Sequence, residues 1–250
     1  DVAHFHNTHF MISPAAYTAC CEAGVPVVQS LHNYRLSCPA ATFFRDGRIC
    51  EDCLGKRIAW PGIVHACYRS NRVLTGAIAV TLTFHRLRRT WSQAVDIYIV
   101  LTEFGRQKFI RTGLPAHKIT VKPNFVFPDP GWREPVGDYA VYMGRLSPEK
   151  GCRELLHAWR NLPGIPLKVV GTGPLRDELL YYVDQYGLTL VEFIDWLPHE
   201  AAMDILGQAR MMVFPSTWYE GLPMSIVEAF ACGVPVIASR TGVMTEIVTD

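Results

Sequence analysis

The feature that most constrains this chain is the alternation, through its second half, of short β-branched runs with segments of helical period. Residues 139–143, 167–170, 191–194, 211–214 and 235–238 read as strands, and 148–159, 175–186, 200–209 and 223–231 as helices. Strands joined through helices by short loops demand a parallel sheet, because each return to a parallel strand must cross a sheet face and the crossover helix covers it. The first half follows the same grammar less regularly. Residues 2–5, 27–31, 97–101 and 119–121 read as strands, and Ser13 followed by Pro14 opens a helix that stops at Gly24. An irregular stretch runs from His32 to about Trp60, followed by a helical segment to about Trp91.

Residues 124–137 hold Pro128, Pro130, Pro135, Gly131 and Gly137 and read as a linker. The expected organisation is therefore two Rossmann-like domains, 1–127 and 128–250. Both read as incomplete: a Rossmann-like half needs about five or six strands, fewer precede the linker, and residues 246–250 resemble the opening of a helix. With 250 residues, 49% hydrophobic and 19% charged, the chain has the balance of an ordinary globular protein, and a net charge of +1 offers no strongly basic surface for nucleic acid. No signal peptide is visible, and the cysteine usage suits a reducing cytoplasm. The longest apolar stretch, about Val73 to Phe84, is too short to span a bilayer. Arg86, Arg88 and Arg89 follow it, which suits a helix lying on a membrane surface and equally a buried helix with a solvated end.

The strongest chemical signal is Glu220-Gly221-Leu222-Pro223-Met224-Ser225-Ile226-Val227-Glu228, directly after a strand. A strand-to-helix turn at the carboxyl end of a parallel strand is where ligands of open α/β sheets bind, and its unpaired N–H groups suit a phosphate. Carboxylates on either side can accept from sugar hydroxyls. Gly144-Arg145-Leu146-Ser147-Pro148-Glu149-Lys150-Gly151 supplies two cations at another strand end, suited to neutralising a departing diphosphate. Gly171-Thr172-Gly173-Pro174 lies between a strand and a helix but lacks the third glycine of a dinucleotide fingerprint, since Arg176 occupies that place. His4, His6 and His9 close one strand and His32 another. Cys50 and Cys53 have zinc-knuckle spacing, and Cys38 and Cys67 could complete a structural site; buried reduced thiols acting as small hydrophobes are the alternative.

The Glu-x7-Glu segment and the run from Ala229 to Ala238 after it resemble the donor-binding signature of family-four retaining glycosyltransferases, which have the GT-B fold of two facing Rossmann-like domains. The resemblance extends to the Arg145/Lys150 segment, to Thr102-Glu103-Phe104 and to Lys122-Pro123-Asn124. It implies transfer of a sugar from a nucleotide-sugar donor to an acceptor hydroxyl with retention of configuration, without a metal or other cofactor for catalysis. It implies roles as well: Glu228 on the ribose, Glu220 on the donor sugar, Arg145 and Lys150 on the diphosphate, and His32 on the sugar. Gly144, Gly171, Gly173, Gly221, Leu222 and Met224 complete the implied donor site. The implied partners are a nucleotide sugar and a carbohydrate or glycolipid acceptor in polysaccharide or glycolipid synthesis; a peripheral place on the inner face of the membrane stays an open alternative, on the Val73–Phe84 stretch and its arginines alone. A nucleotide-sugar epimerase and a binding module without turnover are the alternatives.

Overall fold

The computed structural model describes residues 1–6, 8, 12–133 and 136–249, so the expectations for Asn7 and His9 fall outside the described residues. The chain divides into two compact units, Asp1–Pro123 and Asn124–Asp250, a division ahead of the one expected after residue 127.

Unit 1 contains β1 (Ala3–Phe5), α1 (Ala15–Glu22), β2 (Val27–Ser30), a hairpin of β3 (Phe44–Arg45) and β4 (Arg48–Ile49), α2 (Trp60–Val64), α3 (Arg72–Leu87), α4 (Thr90–Gln93), β5 (Ile97–Val100), α5 (Glu103–Arg111) and β6 (Ile119–Val121). Its main sheet is parallel, in the order β1-β2-β5-β6. Ser13 Oγ accepts from the Ala15 N–H at 3.2 Å and Thr102 Oγ1 from the Gly105 N–H at 3.1 Å, so hydroxyls satisfy otherwise orphaned donors at the starts of α1 and α5. Within the irregular stretch, Asp46 and Gly47 both have positive φ, the geometry of a type I′ turn, and they fold the β3–β4 hairpin.

Unit 2 contains β7 (Ala140–Met143), α6 (Cys152–Trp159), β8 (Leu167–Val170), α7 (Arg176–Gln185), β9 (Val191–Ile194), α8 (His199–Gln208), β10 (Met211–Phe214), α9 (Met224–Ala231), β11 (Val236–Ala238) and α10 (Met244–Ile247). Its parallel sheet has the order β11-β10-β7-β8-β9. The chain proceeds from β7 outward to β9, then returns to the other side of β7 with β10. The strand order thus reverses between β7 and β10, which makes their carboxyl ends the place for a ligand. Leu155, Leu156 and Trp159 of α6 pack with Tyr142, Leu167, Val169 and Leu179 in a closed core. Each such side chain stabilises the unit by about 1.5–3 kcal/mol relative to exposure.

The helix expected from Pro148 begins later. Pro148–Lys150 is a 3-10 turn, and Gly151, at φ +71°, precedes the α-helix that starts at Cys152. A Cβ at Gly151 would lie 1.9 Å from the Pro215 carbonyl, so this loop passes against the end of β10 only with glycine there.

Candidate functional site

The loops after β7, β8 and β9 and the start of α9 enclose a cavity of about 740 Å³ at the carboxyl edge of the unit 2 sheet. Gly144, Arg145, Gly171, Gly173 and Glu228, all anticipated from the sequence, line it. The loops are locked together before any ligand enters. The Leu146 N–H donates to the Thr172 carbonyl at 2.9 Å, and the Leu175 N–H to the Leu146 carbonyl at 3.0 Å. A Cβ on Gly173 would stand 2.3 Å from the Leu146 carbonyl oxygen, and one on Gly171 would stand 2.0 Å from that of Gly144. These glycines therefore let two backbone turns touch, and the touching turns form the cavity wall.

Arg145 is held by its backbone: buried Tyr142 donates its hydroxyl to the Arg145 carbonyl at 2.9 Å, and burial keeps that phenol protonated by raising its pKa. The Arg145 side chain is exposed, and among the described residues no carboxylate pairs with it. The result is an exposed cation on the cavity lining, placed for an anion. Glu228, on α9, is mostly buried, and the His199 ring nitrogen Nδ1 lies 4.0 Å from its carboxylate. Asp195, the other acid near these turns, is held by Arg176 in a two-pronged pair of 2.7 and 3.1 Å.

Lys150 and Glu220 do not line this cavity. Lys150 Nζ donates to Glu220 Oε1 at 2.7 Å, and Ser216 Oγ donates to the same oxygen at 2.8 Å. Glu220 is only 6% exposed, and the ammonium lies over the rings of Phe214 and Trp218 at 5.8 and 5.4 Å. The two residues expected to act separately are one buried ion pair at the end of β10. Asn124 Nδ2 donates to the Leu222 carbonyl at 3.0 Å and braces the loop containing Gly221 and Leu222; neither of these, nor Met224, lines the cavity.

Sequence reasoning missed Trp196, 76% exposed and on the cavity rim, and with it Leu197, Ala202 and Ser225. An exposed aromatic directly after a parallel strand was the available signal. Ser225 lies in the first turn of α9, where backbone N–H groups lack intrahelical partners.

In unit 1, His32 Nε2 and His6 Nδ1 share a hydrogen bond of 2.9 Å with their rings stacked, while His4 Nε2 meets Ser30 Oγ at 2.9 Å. Loss of solvent and the neighbouring imidazoles lower the pKa of both His32 and His4. Tyr17, its pKa pushed up to about 12 by burial, donates to Gln29, whose amide donates to the His6 carbonyl at 3.3 Å. His6 and His32 edge a small cavity of about 40 Å³ bounded also by Gln29, Arg35 and Trp91.

The four cysteines of the expected structural zinc site lie near one another, the thiols of Cys38, Cys50 and Cys67 all acting electrostatically on that of Cys53. Cys38, Cys50, Cys53 and Cys67 are free thiols, and among the described residues no group of three or more His, Cys, Asp or Glu side chains is disposed to hold a metal. Cys53 packs with Ala59, Ala79 and Ile63, and burial pushes its thiol up to about 11. Arg45 donates to Asp52 at 3.0 Å, and its charge acts on the neighbouring Cys50 and Cys67.

Residues 134–250 match the family model for glycosyl transferases group 1. The chain is 29% identical over 178 residues to the O-antigen chain mannosyltransferase B of Escherichia coli, covering 63% of this chain and 46% of that protein. It is 30% identical over 188 residues to a GDP-mannose-dependent alpha-(1-6)-phosphatidylinositol monomannoside mannosyltransferase of Mycolicibacterium smegmatis, covering 66% and 49%. The chain thus spans about half the length of these curated relatives. Among solved structures it resembles Anabaena HepE in complex with UDP, with a TM-score of 0.70, 19% identity and coverage of 99% of this chain and 62% of that one. It also resembles sucrose-phosphate synthase of Thermosynechococcus elongatus, with a TM-score of 0.66, 18% identity and coverage of 98% and 57%. At these identities the likeness is one of fold, the GT-B type.

Proposed function

We propose, from the match of residues 134–250 to the glycosyl transferases group 1 model, that this protein transfers a sugar from a nucleotide-sugar donor to an acceptor hydroxyl with retention of configuration. The observation that carries the reading is the unit 2 cavity: it opens at the strand-order reversal, has the volume of a nucleotide site, and presents an unpaired arginine and a carboxylate. Arg145 takes the diphosphate. Glu228 accepts from the ribose hydroxyls. Trp196, on the rim, offers its face to the base.

Lys150 and Glu220 act as a pair. The glutamate fixes the ammonium so that it meets the leaving diphosphate without searching for a conformation, and the carboxylate held in place by the lysine accepts from the donor sugar. In the reaction the bond between the anomeric carbon and the diphosphate oxygen breaks, the acceptor oxygen bonds to that carbon on the same face, and the acceptor proton passes to the diphosphate. By the family resemblance, His32 of unit 1 contacts the donor sugar. Arg145 and Lys150 supply the positive charge that a divalent ion would otherwise bring to the diphosphate, and transfer in EDTA is the corresponding expectation. The relatives named above act in polysaccharide or glycolipid synthesis by their names, and a glycan or glycolipid acceptor is the corresponding proposal here.

The test is turnover with a panel of nucleotide sugars, with the anomeric configuration of the product read by NMR and the assay repeated in EDTA. A product of retained configuration formed in EDTA supports the reading; an inverted product or strict dependence on magnesium contradicts it. Binding of a nucleoside diphosphate with no transfer to any acceptor would favour the binding module instead.

A further inference from the structure

Helix α3 is apolar on two opposite faces. Ile78, Ala79 and Leu82 are buried in unit 1 together with Thr75. On the other side, Val73, Val80, Phe84 and Leu87 are 80, 67, 50 and 74% exposed. Their spacing of seven, four and three residues places them along one stripe at the helical period, and Ala77 is exposed between them. Trp60 and Val64 of α2, which packs on α3, are more than half exposed as well. A soluble surface helix places polar residues where this one places a valine, a phenylalanine and a leucine, and a stripe of that size marks a contact with something apolar.

Charge identifies what that is. Between Asp52 and Asp96 the sequence has no acidic residue, whereas Lys56, Arg57, Arg69, Arg72, Arg88 and Arg89 are all exposed there. Arg72 opens α3, and Arg88 and Arg89 follow its end. Lys56 and Arg57 sit at that same end, because Arg86 of α3 donates to the Arg57 carbonyl at 2.8 Å. Two of the cations lie over aromatic rings of the face itself: the Arg88 guanidinium is 5.5 Å from the Phe84 ring and the Lys56 ammonium 5.7 Å from that of Trp60. A second copy of the same face would set these cations against one another with no carboxylate to answer them, so self-association is opposed. A surface that is apolar beneath and anionic above answers both halves of the pattern. We propose that the α2–α3 face of unit 1 is a docking surface for the headgroup region of an anionic lipid bilayer, with Val73, Val80, Phe84 and Leu87 entering the acyl boundary and the cations meeting the lipid phosphates. No described helix is long and apolar enough to cross a membrane, so the contact is peripheral.

The test is co-sedimentation of the full chain with vesicles of phosphatidylcholine alone and of an equal mixture with phosphatidylglycerol, at low and high salt, with the tryptophan emission of the chain and of a Trp60→Phe variant followed in parallel so that their difference reports on Trp60. Binding is expected to the mixed vesicles only, weakening with salt, with a blue shift of the emission. Each surface cation is worth about 1 kcal/mol, or about fivefold, so Arg88→Gln with Arg89→Gln is expected to weaken partitioning about thirtyfold. Val80→Asp with Phe84→Asp is expected to abolish it while leaving the melting temperature unchanged, because both side chains are exposed. Equal binding to neutral vesicles overturns the proposal. So does a dimer in sedimentation velocity that the Val80/Phe84 variant dissolves, and so does binding to nucleic acid without binding to vesicles. The inference rests on this face alone; titrating nucleoside diphosphate into the same preparations reports separately on the donor site.

Discussion

Replacing Lys150 by Met isolates the energetics of the ion pair at the end of β10. Glu220 retains 8% of its side-chain exposure and Lys150 22%, so the carboxylate is the more deeply committed partner. Removing one partner of a fully buried pair costs about 3–5 kcal/mol, chiefly through the charge left behind. Here Ser216 still donates to Glu220 and the lysine is partly open to solvent. The expected cost is therefore lower, about 2–3 kcal/mol for Lys150→Met. For a unit of this size that lowers the melting temperature by about 6–12 °C. Adding Glu220→Gln removes the stranded charge, so the double variant is expected to be less destabilised than the sum of the single ones by about 1.5–2 kcal/mol. Urea denaturation followed by tryptophan fluorescence, with both transitions fitted, supplies the cycle. Additivity within about 0.5 kcal/mol would show that the two residues do not act as a pair and would refute the reasoning.

Three further outcomes follow from other parts of the structure. Gly173→Ala drives a methyl group into the Leu146 backbone; it is expected to destabilise unit 2 by about 2 kcal/mol or more and to lower nucleotide affinity, whereas Gly164→Ala, where a Cβ meets nothing, is expected to do neither, as calorimetry and titration would show. His4 and His32 have pKa values below the ordinary 6.5, so the folded state binds fewer protons than the unfolded one. Their contribution to the stability of unit 1 is full above that value and falls as acid titrates the folded state; thermal melts from neutral to acidic pH should show this loss, and it should shrink in His32→Asn. Cys53, with its thiol raised to about 11, is expected to react with a disulfide reagent at neutral pH far more slowly than exposed Cys21, with labelled peptides read by mass spectrometry.

Both parallel sheets were legible because buried strands leave β-branched runs and crossover helices leave their own period. The donor motif was legible because Arg145, Gly171, Gly173 and Glu228 each sit at a strand end or helix start that local sequence marks. The Lys150–Glu220 pair was not. Its members are seventy residues apart, and only the adjacency of β7 and β10 in the sheet brings their loops together. The start of α6 was misplaced because Gly151 was read as a helical residue, although the close approach to Pro215 requires its left-handed backbone. The Asp46-Gly47 turn was visible as a dipeptide but lay between strands of two residues each, too short to show alternation. The cysteine spacing showed that Cys50 and Cys53 are neighbours but not that Cys38 and Cys67 approach them, which the fold of the irregular stretch brings about.

The central claim is that the unit 2 cavity binds a nucleoside diphosphate through Arg145. Isothermal titration of the chain with UDP and GDP, and with uridine and guanosine, compared with Arg145→Ala, tests it most directly. The account predicts that one diphosphate binds far more tightly than its nucleoside, and that Arg145→Ala removes most of that difference, about tenfold or more for the loss of a charge-assisted contact. Equal affinity for diphosphate and nucleoside, or an Arg145→Ala chain that binds the diphosphate as the parent does, would contradict it.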